Sequence, residues 1–450
     1  MFLALAAGSL LFSACSSDDA ILNGNAQDGA AQQIVLQVTS GGDGLTTRAG
    51  RPLYSSAALQ AIDNVRVLVY KDKAGATDDK TIVYDSQKSL DWTKSLEYDT
   101  NGHGRRLTIT LKGKDKIEDA GDYKIVAVGY SNNSDYTFEK DVKAETSLKG
   151  KPYSDITATL AAGKDAEEVF AGEAKLTIDA DKKISNKTNG EDGVAVTLHR
   201  QVAGGFGYFM NIPAHINGVE AKTLRLVVRS KNDVLTFNSF NSDFTTSNNN
   251  LKYVVNGSTS KSAPTSDANF SNNDAAYTLY SIDLTKWFPG GDKNKDGFLN
   301  KDDNNWTHLK SVKVALVKGS VFAGKFIVPF ALTAGKNTME LQLLDKDKNI
   351  LKVWNVTIPE ANKTDGNGVK DESLSVFNVV RNHMYNIGVK VNQNINPGPG
   401  KPDPDPTPGP DPDPVTPNPG TDQPEDLSKG QNLVLKVNDN WETIHQLVIE

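Results

Sequence analysis

The chain has almost no cysteine, no concentration of positive charge and no apolar run long enough to span a bilayer. One cysteine in 450 residues excludes a disulfide scaffold and any metal site built from a cysteine cluster. A net charge of −7 provides no basic field for nucleic acid, so we expect no nucleic-acid partner. The length and the hydrophobic content of 38% are sufficient for two or three globular domains.

The apolar residues 1–14 immediately precede the single cysteine, Cys15. This run is too short for a permanent membrane span and is typical of a signal peptide. Ser13 and Ala14 before Cys15 resemble a bacterial lipobox, which predicts that Cys15 becomes the lipidated, palmitate-bearing N-terminus of an outer-membrane lipoprotein precursor. An ordinary secretory peptide with an incidental cysteine is the alternative, and no Lys or Arg precedes the apolar run.

Beyond the signal, short alternating or β-branched runs separated by Gly, Asn, Asp and Ser predict an all-β protein of sandwich type. The polar residues 179–193 mark the predicted boundary between two domains, and Asp165–Phe170 is the best helical candidate. The predicted strands are Ile34–Val38, Val65–Tyr70, Leu107–Leu111, Tyr123–Tyr130, Val194–Leu198, Leu224–Val228, Val312–Val317, Leu341–Leu344, Leu351–Ile358, Tyr385–Val391 and Leu433–Val437.

The most biased segment is Pro397–Pro424, which holds 12 of the 19 prolines and is expected to stay extended and solvated. Apolar, β-forming residues follow it, so the chain ends in strands carried on a polar tether, an arrangement that suggests docking on another molecule. The predicted divisions are a signal peptide (1–14), a lipid-anchored propeptide (15–48), an N-terminal domain (49–190), a C-terminal domain (191–396), a tether (397–426) and C-terminal donor strands (427–450).

Two short segments near opposite ends of the chain share one pattern of polar and aliphatic residues. Residues 33–38 are QIVLQV and residues 432–437 are NLVLKV. In a strand, Leu433, Leu435 and Val437 share one face, as Ile34, Leu36 and Val38 do, so both segments could fill one groove in one register. Chance similarity between two ordinary strands is the alternative, because aliphatic alternation is common.

The first basic residue of the chain is Arg48, which follows a glycine-rich turn and precedes Ala49. Arg51 precedes a proline and is a poor protease site, and Arg66 lies inside a predicted strand. A trypsin-like protease therefore has one accessible bond, between Arg48 and Ala49. Cutting it removes the lipid anchor together with the strand at 33–38, and the C-terminal strand of a neighbouring copy matches what is lost. Strand addition of this kind, repeated head to tail, builds a filament.

With these features in this order, the chain resembles the Bacteroidales fimbrillins, the shaft subunits of type V pili, and especially the short-fimbria type. The motifs that carry the resemblance are the lipobox at Cys15, the cut site at Arg48, NVRVLVY (64–70), GDYKIVAV (121–128), LHRQVA (198–203), VVRNHMYNI (379–387) and the Pro/Asp-rich segment before the final strands.

The resemblance implies two transthyretin-like β-sandwich domains in tandem, lipoprotein export, Arg-specific surface proteolysis and polymerisation by donor-strand exchange. It further implies a cell-surface fimbrium that mediates adhesion. The implied partners are other copies of the chain, accessory tip and anchor fimbrial proteins, an Arg-specific surface protease and, for the precursor, the outer membrane.

Residues 292–303 fit the pattern of a Ca²⁺ loop, with oxygen ligands at alternate positions, glycine at the sixth and a carboxylate at the twelfth. A solvated polar turn is the alternative. No flanking helix pair is evident, so calcium would have a structural role. The candidate ligands are Asp292, Asn294, Asp296, the Phe298 carbonyl, Asn300 and Asp303.

No hydrolase, metalloprotease, P-loop or dinucleotide-binding motif occurs in the sequence, so we expect no enzyme and no catalytic cofactor. Gly204, Gly205 and Gly207 lack the context of a nucleotide loop and indicate a bulge or tight strand crossing instead. The rival to a polymer subunit is a monomeric surface lipoprotein that binds a glycan or host ligand, and a β-sandwich glycosidase is a distant third possibility.

Overall fold

A computed structural model describes residues 32–38, 63–72, 79–86, 90–97, 105–138, 146–154, 156–188, 191–228, 230–237, 261–262, 278–309, 312, 316–329, 339–357, 379, 381, 384–390, 422–430, 432–434 and 436–438. Within these ranges strands predominate, which confirms the all-β prediction.

Strands of the first half of the chain are β1 (Gln32–Val38), β2 (Asn64–Lys71), β3 (Ile82–Asp85), β4 (Leu90–Asp91), β5 (Leu96–Glu97), β6 (Arg105–Leu111), β7 (Gly121–Tyr130), β8 (Tyr136–Phe138), β9 (Ile156–Leu160), β10 (Phe170–Ile178), β11 (Lys187–Thr188), β12 (Glu191–Asp192), β13 (Val194–Thr197) and β14 (His199–Arg200). Short 3₁₀ turns occur at Trp92–Lys94 and Gly113–Asp115.

The second half begins with β15 (Ala203–Met210), β16 (Ile212–Pro213), β17 (His215–Ile216), β18 (Val219–Glu220), β19 (Thr223–Val228), β20 (Ser230–Lys231), β21 (Val234–Phe237), β22 (Lys261–Ser262) and β23 (Thr278–Asp283). After the single-turn helix α1 (Leu284–Trp287) come β24 (Phe298–Leu299), β25 (Val321–Ile327), β26 (Met339–Leu344), β27 (Ile350–Thr357), β28 (Met384–Ile387), β29 (Glu425–Asp426), β30 (Leu433–Val434) and β31 (Lys436–Asn438).

In the first half, two sheets face each other across a shared core. One sheet has the order β13-β1-β6-β5 and the other has the order β14-β10-β7-β2-β3, with β4 also paired to β2. Alternate side chains of both sheets form one buried cluster, which includes Ile34 and Leu36 from the first sheet and Val65, Val67 and Ile125 from the second. This packing of two inner faces defines a β-sandwich.

The second half contains two five-stranded sheets. Their orders are β25-β15-β28-β31, with β29 paired to β15, and β23-β19-β26-β27-β30. Side chains from both sheets, including Phe206, Tyr208, Leu226 and Leu341, belong to a second buried cluster. That cluster also takes in Leu68 from the outer face of β2, and β21 of the second half pairs with β9 of the first, so the apolar packing is continuous between the halves.

The division at residue 190 stays a prediction, and the pairing of β13 and β14 bears on it. Both strands follow residue 190 in the chain, yet β13 pairs with β1 and β14 pairs with β10 in the first sandwich. Gly172 in β10 permits this arrangement, because a Cβ atom there would collide with the Thr197 carbonyl of β13.

One secondary-structure prediction is wrong. Asp165–Phe170 is not a helix, because Ala166 bridges to Phe326, the carboxylate of Glu168 is buried against Arg200 at 2.6 Å, and Phe170 begins β10. Of the predicted strand Val312–Val317, residues 313–315 lie outside the described residues, and at its end the Val317 N–H donates to the Tyr208 hydroxyl. The local pattern of apolar residues cannot predict such contacts with residues distant in sequence.

The glycines of β15 mark a tight strand crossing. β15 pairs with β25 in continuous register, without a bulge. A Cβ atom at Gly205 would lie 2.8 Å from the Ile327 side chain and 3.1 Å from the Tyr385 carbonyl. The absence of side chains therefore lets β15 run close to both neighbouring strands.

Candidate strand-exchange site

Strand β1 occupies a central slot in the first sandwich. It pairs antiparallel with β6 along all seven of its residues and parallel with β13 from Ile34 to Gln37. Ile34 and Leu36 are completely buried, whereas Gln33 is exposed. Removal of β1 would therefore leave a groove with an unpaired strand edge on each side and an apolar floor.

The inward face of β1 includes the predicted Ile34 and Leu36 and, as its first member, Gln32, which the sequence pattern did not indicate. The Gln32 side chain is completely buried, on the same face as Ile34 and Leu36. Its amide nitrogen donates to the Ile117 carbonyl at 2.8 Å and to the Lys182 carbonyl at 2.9 Å. Its amide oxygen accepts the Ile117 N–H at 2.9 Å. A polar residue at the start of an apolar strand was the one available signal.

The predicted processing residues Cys15, Arg48 and Ala49 lie outside the described residues. The next basic residue after them that the structure describes, Arg66, is in β2 with its side chain buried. Its guanidinium donates to both carboxylate oxygens of Asp85, at 3.0 and 2.7 Å. The prediction that Arg66 lies within a strand is confirmed, and this buried ion pair withholds it from a protease.

The C-terminal donor segment lies against its own chain. In β30, Leu433 pairs with Val356 of β27 and is 1% exposed. In β31, Val437 pairs through its backbone with Tyr385 of β28, and Leu435 lies outside the described residues. Within the described part of the chain, β30 and β31 are edge strands, each with one neighbouring strand in its sheet.

The end of the proline-rich segment is docked, which corrects the expectation that it stays solvated up to Pro424. Lys390 donates to Asp422 at 2.8 Å, and the two side chains are 3% and 1% exposed. Gln423 exchanges backbone hydrogen bonds with Val389, and Leu427 is completely buried. The C-terminal strands therefore start from a fixed point on the second half of the protein.

The calcium-loop candidates come together in one compact turn. Asp292 accepts the N–H groups of Lys295 and Gly297, at 2.7 and 2.8 Å. Asp303 is completely buried and accepts the Lys293 and Asn300 N–H groups at 2.7 and 3.0 Å. Gly297 has a φ of 92°, the left-handed conformation that glycine adopts without strain.

The amides of Asn294 and Asn300 both donate to the same oxygen of Asp296, at 3.0 and 2.7 Å. Loss of solvation raises the pKa of the exposed Asp296 carboxyl, but hydrogen bonds from Asn300, Phe298 and Asn294 outweigh it and hold the pKa below its usual value. Among the described residues, no three or more His, Cys, Asp or Glu side chains form a metal-binding group. Calcium binding would thus require amide and carbonyl oxygens as well as carboxylates, with the two asparagine amides rotated.

No protein-family model matches the chain, and no curated protein sequence matches it. Solved structures similar to it include a candidate adhesin from Bacteroides ovatus, with 12% identity and a TM-score of 0.38 over 79% of this chain and 90% of the other. A candidate cell adhesion protein from Parabacteroides distasonis has 10% identity and a TM-score of 0.37, over 91% and 96%. The fimbrial anchor protein Mfa2 from Porphyromonas gingivalis has 9% identity and a TM-score of 0.34, over 80% and 90%.

In the part of the chain that the structure describes, no helix has the length and apolar character needed to cross a membrane.

Proposed function

We propose that the chain is the shaft subunit of a cell-surface fimbria, exported as an outer-membrane lipoprotein and activated by Arg-specific cleavage after Arg48. Cleavage removes β1, and the C-terminal segment of a neighbouring copy takes its place. The subunit is a structural and adhesive protein without catalytic activity. A fimbrial anchor protein is among the similar solved structures, and a shaft subunit would belong to the same class of assembly.

The position of β1 carries this proposal. A cut after Arg48 would release β1 as one piece, although β1 lies between β13 and β6 in its sheet. Its side chains Ile34 and Leu36 fill part of the core. Main-chain bonding to two neighbours and pockets for alternate side chains are what strand addition uses for affinity and specificity.

The donor segment would form more strand pairing in the groove of a neighbour than it forms in its own subunit. β30 and β31 each pair along one edge, over two and three residues. In the groove, a segment of the same length as β1 would pair on both sides. Leaving its own sheets exposes Leu433 but disrupts no central strand, because β30 and β31 are at sheet edges.

Leu435→Asp tests the exchange, with Lys436→Glu as the matched control. Leu435 aligns with Leu36, which is completely buried, so aspartate would place an unpaired carboxylate in the core of the neighbour. Lys436 aligns with the partly exposed Gln37, on the opposite face. After cleavage, we expect monomers from Leu435→Asp and normal filaments from Lys436→Glu, in size-exclusion chromatography and electron microscopy. Filaments of normal length from Leu435→Asp would refute the proposal.

A monomeric surface lipoprotein is the second candidate, favoured by one observation. The C-terminal segment buries Leu433 in its own subunit, as expected of a segment that only stabilises that subunit. In that case Leu435→Asp would lower the melting temperature of the monomer, whereas exchange predicts a folded monomer that does not assemble.

We also propose that the 292–303 loop binds Ca²⁺ as a structural ion. The side chains of Asp292, Asn294, Asp296, Asn300 and Asp303 are held by hydrogen bonds within one loop that turns at Gly297. Bound calcium would offset two of the three carboxylate charges and, through the Phe298 carbonyl, tie the ion to β24, which pairs with β16.

A further inference from the structure

Among the described residues, the hydrogen-bond partners of the buried Gln32 amide are main-chain groups. Two carbonyls and one N–H, from Ile117 and Lys182, are its hydrogen-bond partners. These three groups belong to the part of the chain that remains after cleavage at Arg48. When β1 leaves, they lose the side chain that satisfies them at the end of the groove. Buried polar groups without partners are costly, so this end of the groove favours a ligand with both a donor and an acceptor.

The C-terminal segment supplies that group at the matching position. Extending the alignment of 33–38 with 432–437 by one residue places Gln431 on Gln32. A slip of two residues, which keeps the apolar face inward, would bring either Lys429 or Leu433 to the same place. Lysine has no acceptor for the Ile117 N–H, and leucine has neither donor nor acceptor.

Resting on the proposed strand exchange, we infer that Ile117 and Lys182 form a main-chain clamp for Gln431 of the incoming copy, and that this clamp sets the register of the donor strand. The apolar side chains fix which face points inward, because one-residue slips reverse the face. A slip of two residues would still place two of Leu433, Leu435 and Val437 on the floor of the groove, so the apolar side chains resist it less strongly. The clamp adds to that discrimination.

Gln431→Leu tests the clamp, with Asn432→Ala as the control, because Asn432 aligns with the exposed Gln33. Both are made in the full cleaved chain and compared with wild type and Leu435→Asp. We expect Gln431→Leu to slow assembly, or raise the concentration it requires, by roughly 10- to 100-fold, since two buried groups of Ile117 and the partly buried Lys182 carbonyl lose their partner. Asn432→Ala should assemble as wild type does.

Register is measured by disulfide trapping, since the chain cleaved after Arg48 contains no cysteine. Gln33 pairs with Thr110 in β6, and Val35 pairs with Thr108. Filaments mixed from Asn432→Cys and Thr110→Cys chains should crosslink, whereas Asn432→Cys with Thr108→Cys should not. When Gln431→Leu is added to the Asn432→Cys chain, the yield of the crosslink to Thr108→Cys should rise and the yield of the crosslink to Thr110→Cys should fall.

The outcomes separate the two claims. If Leu435→Asp blocks assembly but Gln431→Leu assembles at the wild-type rate and with the same crosslinks, the clamp is refuted and strand exchange stands. If wild type does not assemble, or if Leu435→Asp assembles normally, strand exchange itself is refuted.

Discussion

Replacing Leu36 with alanine distinguishes the uncleaved chain from the assembled one, because Leu36 belongs only to the first. Its side chain is completely buried in the core of the first sandwich, between Leu107 of β6 and Val196 of β13 in the sheet register. Truncation of a buried leucine costs about 2–5 kcal/mol, depending on how far the cavity collapses. For a unit of 150–250 residues, each kcal/mol corresponds to roughly 2–4 °C in melting temperature.

We therefore expect Leu36→Ala to lower the melting temperature of the uncleaved chain by about 4–20 °C, measured by calorimetry or by circular dichroism. Gln33→Ala is the control, since Gln33 is exposed on the other face of the same strand. After cleavage, filaments from the Leu36→Ala chain should match wild-type filaments in yield and in resistance to heat, because position 36 has been removed.

Two results would refute this reasoning. A change of less than about 2 °C in the uncleaved chain would mean that β1 contributes little to the core. Less stable filaments from Leu36→Ala would mean that β1 stays in the assembled subunit.

The remaining predictions concern a buried ion pair, a buried tyrosine and the calcium loop. Arg66→Ala should lower the free energy of unfolding by about 3–5 kcal/mol in urea denaturation, because Asp85 would stay buried without its charged partner; a loss below 1 kcal/mol would contradict this. Burial, with the nearby Asp115 and Asp85, raises the pKa of Tyr84 to about 12. The melting temperature should therefore be constant with respect to this group below about pH 10 and should fall between about pH 10 and 12. Tyr84→Phe should flatten that fall. Millimolar Ca²⁺ should raise the melting temperature relative to EDTA in wild type but not in a chain carrying Asp292→Ala and Asp296→Ala, and no shift in wild type would dismiss the site.

The alternation of apolar residues was enough to predict the central strands. Val65–Tyr70 and Tyr123–Tyr130 fall within β2 and β7, which are buried on both faces and therefore have long β-branched runs. The inward face of β1 was also correctly predicted from Ile34 and Leu36. In such strands, the hydrophobic pattern and the local backbone preference favour the same structure.

Features that depend on distant partners could not be predicted. The buried ion pair between Lys390 and Asp422 anchors the end of the proline-rich segment, but the two residues are far apart in sequence and look solvent-exposed by composition. Gln32 likewise resembles an ordinary polar residue beside a strand, until the fold brings Ile117 and Lys182 to its amide.

Mass determination of the N-terminus of assembled and unassembled subunits, in wild type and in Arg48→Ala, tests the central claim most directly. Wild-type filaments should consist of chains that begin at Ala49, with no residue of β1 present. Arg48→Ala should keep β1 and stay monomeric, since its groove is already filled. Filaments of Arg48→Ala at the wild-type yield, or wild-type filaments whose subunits begin before Arg48, would contradict activation by removal of β1.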